Sequence, residues 1–333
     1  MNKALWKPSE QKKRDSLLED FSKFVNFNSS QNFKSLWQWS VDNPKEFWSK
    51  FWDYSQIIGH KGKEIIRTNK NFRETKFFPD ANINYAENIL KKKTEEEAIS
   101  FLSEQGFEES ITWKDLYEKV CKFSFYLKKL NLKKGDRVVA YVPNKIDSIV
   151  SFFACAKNGV IWSSCSPDFG IQGVVDRFKQ IEPKVLITCD YYFYNGKKIN
   201  ILEKVDEILI QIPSIKETLV FAYNKNDKTP GYKKYINFEK VLSEAELDET
   251  FERFEFNHPI YILYSSGTTG KPKCITHGCG NVLIEHNKEF MLHCDIRDND
   301  KLFYYTTTGW MMWNWLVGGL ATGASIFLFD GAP

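Results

Sequence analysis

The chain has 333 residues, a formal net charge of +3, and is 42% hydrophobic and 16% aromatic. This composition excludes a disordered or collagen-like chain, and the length allows about two domains with a sizeable core. The net field is weak and only seven of the 46 basic residues are arginine, so neither nucleic acid nor a membrane is expected as a partner.

The N-terminal stretch has no apolar segment of the signal-peptide kind. Seven cysteines without a CxxC pair fit a reduced, cytoplasmic setting better than a disulfide scaffold. Up to Lys93 the pattern is helical and aromatic-rich. Leu36, Trp37, Trp39, Phe47, Trp48, Phe51 and Trp52 recur near i, i+3, i+4 spacing, interrupted by Pro44. Asp42 is placed to cap a helix opening at Pro44. The charged run KKKTEEE from Lys91 to Glu97 marks the expected boundary between a helical region, 1–93, and a second domain, 94–333.

Strands and helices then alternate. Strands are expected at Ala98–Leu102 and Ser110–Thr112, a helix over Trp113–Leu130, a strand at Arg137–Val142 and a helix over Ile146–Lys157. A strand at Val160–Ser163, a helix over Gly170–Ile181, a strand at Val185–Thr188 and a helix over Ile199–Gln211 follow, then strands at Leu219–Tyr223 and Ile260–Tyr264. Apolar strands separated by crossover-length helices predict an α/β fold of layered parallel sheets with helices on both faces. Trp310 to Phe329 carries no charge and has the length of a membrane span. Asn314, Thr322, Ser325 and the glycines 318, 319 and 323 interrupt it, so it is expected to be a buried helix (Trp310–Leu320), a glycine turn and a core strand (Ser325–Phe329).

Parallel sheets present ligands on loops at the carboxyl ends of their strands. After the Ile260–Tyr264 strand comes Ser265-Ser266-Gly267-Thr268-Thr269-Gly270-Lys271-Pro272-Lys273. Two glycines let backbone N–H groups turn inward as an anion nest, four hydroxyls add donors, and two lysines add positive charge. Such a loop suits a polyphosphate, although the GxxxxGK[ST] spacing of a Walker A loop is absent.

This stretch resembles the Ser/Thr/Gly-rich signature of the adenylate-forming superfamily. Phe77–Leu90 (FFPDANINYAENIL), Gly135–Val138 (GDRV) and Ser166–Gly170 (SPDFG) resemble its acetyl-CoA synthetase branch. Leu36–Trp39, Val41–Pro44 and Thr306–Trp315 (TTTGWMMWNW) are similar to the acetoacetyl-CoA synthetase family. The resemblance implies ATP-dependent activation of acetoacetate to an acyl-adenylate, then transfer to coenzyme A, with Mg²⁺ shared among the phosphates. It places Ser265, Ser266, Gly267, Thr268, Thr269, Gly270, Lys271 and Lys273 on the ATP phosphates, with Thr268 and Lys271 as catalytic groups and Trp310 as a gating aromatic. Met311 and Met312 stand where acetate-specific relatives have Val and Thr lining the acyl pocket. Asn314 is a candidate donor to a substrate ketone. Trp162 aligns with the stretch that meets the CoA adenine, and Lys197 with arginines that meet the CoA phosphate.

The resemblance covers about the first half of a family member. It places the Mg²⁺-binding Glu, the ribose-binding Asp and the catalytic Lys of a small lid domain in a C-terminal half that this sequence does not contain. The chain by itself is therefore expected to turn over little or not at all. A non-catalytic nucleotide- or CoA-binding fragment, or a ligase for another short acid, remains an alternative. Cys274, His277, Cys279, His286, His293 and Cys294 lack the second tight pair of a zinc site, so no metal ligands are assigned. No GxSxG elbow points to a serine hydrolase.

Overall fold

The computed structural model describes residues 5–27, 33–227, 234–265 and 270–333. Among them, the largest sheet has seven strands. Its spatial order is Ile236–Asn237, Glu217–Phe221, Val185–Cys189, Arg137–Tyr141, Ile161–Cys165, Pro259–Tyr264 and Cys274–Gly278. All neighbours are parallel except the last, which returns antiparallel from Pro259–Tyr264. A second sheet runs Lys301–Phe303, Ser325–Asp330, Glu97–Ser103 and Glu108–Thr112, its first three strands parallel and its last antiparallel. The α/β class with parallel sheets is as the apolar strand runs require.

Helix Ile146–Lys157 is buried along its whole length, packed against helices Trp113–Lys129 and Tyr85–Ile89 and strand Ile161–Cys165. Its Phe152 meets Tyr85, Trp162, Tyr261 and Trp313, all within 6.1 Å between ring centroids. Two lysines enter this interior with satisfied ammonium groups. Lys145 pairs with Glu109 at 2.6 Å, and Lys157 donates to Thr250 O at 2.7 Å.

The aromatic N-terminal region forms helices Phe33–Asp42 and Pro44–Tyr54. Pro44 occupies the first turn, as its fixed φ favours, but the N-cap is Asn43. Asp42 instead ends the preceding helix, where it accepts from Gln38 Nε2 at 2.9 Å. Trp52 packs 4.9 Å from Phe78 and 5.9 Å from Phe256, which shortly precedes the large sheet's strand. Phe254–Glu255 also pairs with Asn82–Ile83. The charged run at 91–97 lies at the surface, with Lys92 bound to Glu96 and Asp298, each at 2.7 Å, but the hydrophobic core runs unbroken past it.

Two expectations shift. The helix expected from Ile199 begins at Leu202, and Tyr191–Tyr194 pairs with Lys197–Asn200 as a hairpin. Its turn is Asn195-Gly196, at φ +50° and +74°. Asn-Gly is a strong signal for that turn type, and the sequence carries it. The uncharged 310–329 segment is helix Met311–Gly318, a 3₁₀ turn Gly319–Thr322 and strand Ser325–Asp330. Among the described residues no helix is long and apolar enough to cross a membrane.

Candidate active site

The polar loop after Tyr264 is the turn of a β-hairpin. Tyr264 pairs with Cys274, Ser265 N donates to Lys273 O at 3.0 Å, and Lys273 N donates back to Ser265 Oγ at 3.2 Å. The neck is thereby closed at the carboxyl end of the Pro259–Tyr264 strand. Ser266, Gly267, Thr268 and Thr269 lie outside the described residues. Gly270 has φ +153°, with nothing within 4 Å of an added Cβ, so its glycine serves backbone conformation rather than packing. Lys271 and Lys273 are at the surface, and neither has an ion-pair partner among the described residues. Gln180 Nε2 donates to Pro272 O at 2.8 Å and ties the hairpin to the adjacent 3₁₀ turn.

Three other segments reach the same edge. Ser166 Oγ donates to Asp168 Oδ2 at 2.8 Å, and Tyr141 Oη holds the carbonyls of Pro167 and Phe169 at 2.8 and 2.7 Å. The segment leading into helix Met311–Gly318 is pinned beside it. Thr308 Oγ1 donates to Val142 O, and Ser164 Oγ donates to Thr308 O, both at 2.6 Å. A Cβ on Gly309 would come within 2.9 Å of the Phe169 ring, so glycine permits this close approach. Asp190 caps a third turn, accepting from the N–H groups of Tyr191 and Tyr223 at 2.9 Å each.

The structure separates the other candidate residues. Trp310 is 63% exposed and Met311 is also open, while Met312 is half-buried. Asn314 is buried, at 1% exposure. Trp162, expected against the CoA adenine, lies in the core. It is also 1% exposed, its Nε1 donates to Ser164 Oγ at 3.2 Å, and its ring stacks on Trp313. Its burial follows from its strand, because a parallel strand buried on both sides turns alternate residues into the core. Lys197 is exposed on the 191–200 hairpin, directly opposite Tyr194. The Cys/His set disperses, with Cys274 exposed, His277 packed at a tilt 4.9 Å from Tyr261 and His286 buried. Among the described residues no three His, Cys, Asp or Glu side chains gather around a metal-sized point.

Asp330 carries no motif in the sequence and stands out only in the fold. It closes the crevice between the two sheets with Asn144, Ser166, Asp168, Tyr192 and Thr306. It accepts from Tyr223 Oη at 3.0 Å and from Asn144 N at 3.4 Å. Burial, with Asp168 adding repulsion, raises its carboxyl to about 7. A carboxyl raised in the folded state binds its proton more tightly there than in the unfolded chain. Its contribution is complete below the ordinary carboxylate range and is lost as pH rises toward 7. Asp330→Asn is expected to stabilise the protein at pH 8 by about 1–3 kcal/mol and to change little at pH 4. Urea midpoints at the two pH values check this, and equal shifts at both would refute it.

The family model described as AMP-binding enzyme matches residues 86–333. The chain belongs to the AMP-binding enzyme family. It is 40% identical to acetoacetyl-CoA synthetase of Gallus gallus, over all of this chain and 52% of the relative. It is 36% identical to malonamoyl-CoA synthetase of Penicillium aethiopicum, over 99% of this chain and 48% of the relative. The solved acetoacetyl-CoA synthetase from Streptomyces lividans superposes with a TM-score of 0.93 at 33% identity, covering all of this chain and 52% of that one. The chain thus spans about half the length of the relatives it matches.

Proposed function

We propose that this chain supplies the phosphate-gripping and acyl-binding half of an AMP-forming acid–CoA ligase whose acid is acetoacetate. The carboxylate attacks the α-phosphate of ATP, and the bond to the β-phosphate oxygen breaks to release pyrophosphate. The CoA thiolate then attacks the acyl carbon and AMP leaves with the bonding pair. The observation that carries this reading is the 265–273 hairpin. It stands at the carboxyl edge with two lysines unpaired among the described residues, in a chain 40% identical throughout to an acetoacetyl-CoA synthetase. Charge builds on the leaving pyrophosphate, and fixed N–H, hydroxyl and ammonium groups stabilise it without reorganising. Mg²⁺ bound with the nucleotide would neutralise the same oxygens.

The acyl groups named for the two enzyme relatives both carry a carbonyl at C3, which supports a 3-oxo acid over acetate. The test is ATP–pyrophosphate exchange by this chain joined to the second half that its relatives carry. Exchange is expected with acetoacetate and at least about tenfold less with acetate or butyrate. Exchange that no acid stimulates would defeat the ligase reading. It would leave nucleotide binding without catalysis as the alternative.

A further inference from the structure

Buried polar atoms without a hydrogen-bond partner concentrate, among the described residues, on two packed helices. Four of the seven are Nδ1 of His286 and Oδ1 of Asn287 on Cys279–Lys288, and both Oδ1 and Nδ2 of Asn314 on Met311–Gly318; the others are the carboxylate oxygens of Asp147, which Lys225 approaches to 3.1 Å, and Oε2 of Glu239. The helices meet closely. A Cβ on Gly318 would lie 2.3 Å from His286 Nδ1, and one residue type alone leaves that space. Farther along, Phe290 packs 4.5 Å from Trp315. Met311, Asn314 and Gly318 follow i, i+3, i+7 spacing, so they share the stripe that faces His286. Side chains on a helix lean toward its N-terminus. Asn314 therefore leans from the His286 contact toward exposed Met311 and Trp310 at the carboxyl edge.

A buried amide left unpaired costs about 1–3 kcal/mol, so a ligand atom that pairs with it recovers that cost. Asn314 has both a donor and an acceptor vacant, one helical turn behind the open acyl wall. Burial, with His277 nearby, pushes the His286 imidazole down to about 4, so the wall is uncharged at neutral pH. An uncharged polar wall matches a ketone oxygen better than a second carboxylate. The methionines at 311 and 312 are unbranched thioethers that can shift to admit it.

We infer that Asn314, with His286 behind it, selects the acid by donating from its Nδ2 to a carbonyl oxygen at C3. This rests on the ligase reading above. An acid with a methylene at C3 leaves the amide unpaired, and sites built to pair with a substrate polar group reject analogues lacking it far more strongly than apolar pockets reject size differences.

The test uses Asn314→Leu in the chain joined to the second half that its relatives carry, with acid-dependent ATP–pyrophosphate exchange measured for acetoacetate and butyrate. The acetoacetate-to-butyrate ratio of kcat/KM is expected to fall at least about tenfold, chiefly by loss with acetoacetate. Thermal unfolding should hold or rise, because an apolar side chain replaces two orphaned atoms. Asn314→Ala is read the same way should the leucine not fit. A folded variant with an unchanged ratio, or an unsubstituted protein that takes butyrate as well as acetoacetate, overturns the inference and leaves the ligase intact. Exchange that no acid stimulates removes the ligase reading and this selection with it.

Discussion

Lys271→Ala is expected to slow adenylate formation by about 10²–10³-fold in the chain joined to the second half that its relatives carry, with little change in KM for ATP. Lys271 is at the surface of the hairpin and has no carboxylate partner among the described residues. Its charge is therefore free for a ligand, and removing it breaks no ion pair that the structure shows. The lysine is held near the sheet edge by Gly270, by the Ser265–Lys273 neck and by Gln180 on Pro272. A cation held there gains most when negative charge grows on the departing pyrophosphate, so its loss falls on kcat rather than on binding. Thermal stability should be unchanged, since no described contact of the side chain is lost. Pyrophosphate exchange within about threefold of the unsubstituted protein would exclude the hairpin from the chemical step. Lys273→Ala is a useful comparison, because its backbone closes the neck and survives the substitution.

Trp313→Ala is expected to destabilise the fold by about 3–5 kcal/mol, enough to leave much of the chain unfolded. The ring is fully buried, stacked on Trp162 at 6.4 Å and packed 5.8 Å from Phe152. Its Nε1 donates to Asn144 Oδ1 at 2.9 Å. Truncation thus opens a cavity and orphans the Asn144 oxygen together. Asn144 also donates from Nδ2 to Phe329 O at 3.3 Å, so this tryptophan ties helix Met311–Gly318 to the crevice that Asp330 closes. Trp313→Phe keeps most of the volume and loses only the donor, so it should cost about 1–3 kcal/mol. Urea midpoints of the three proteins separate packing from the hydrogen bond. Equal loss in both variants would mean that the cavity contributes nothing.

Strong hydrophobic periodicity makes an element legible in the residues themselves. Ile146–Lys157 forms over the span its apolar run indicates, and Trp113–Lys129 ends one residue short of the expected Leu130. Both patterns are local and long. The return strand Cys274–Gly278 is not legible in that way, since its residues are largely exposed and carry no clean alternation. Its partner supplies the hydrogen bonds that make it a strand. For the same reason composition picks out the Ser/Thr/Gly-rich segment after Tyr264 without revealing that the strands on either side of it pair as a hairpin.

Residue type and order alone determined the polar, glycine-rich character of Ser265–Lys273, the α/β class and the division of the 310–329 run, because hydroxyls, glycines and hydrophobic period are local properties. Tertiary structure decided which of the aligned side chains remain reachable. Trp162 and Asn314 are both polar-tipped and both 1% exposed, yet one is hydrogen-bonded in the core and the other has both polar atoms unpaired beside the open wall. Burial and pairing depend on what neighbouring elements bring, and those neighbours lie roughly 150 residues apart in the chain, as Trp162 and Trp313 do. Asp330 makes the same point: its raised carboxyl comes from enclosure by Tyr223, Asn144 and Asp168, none of them near it in sequence.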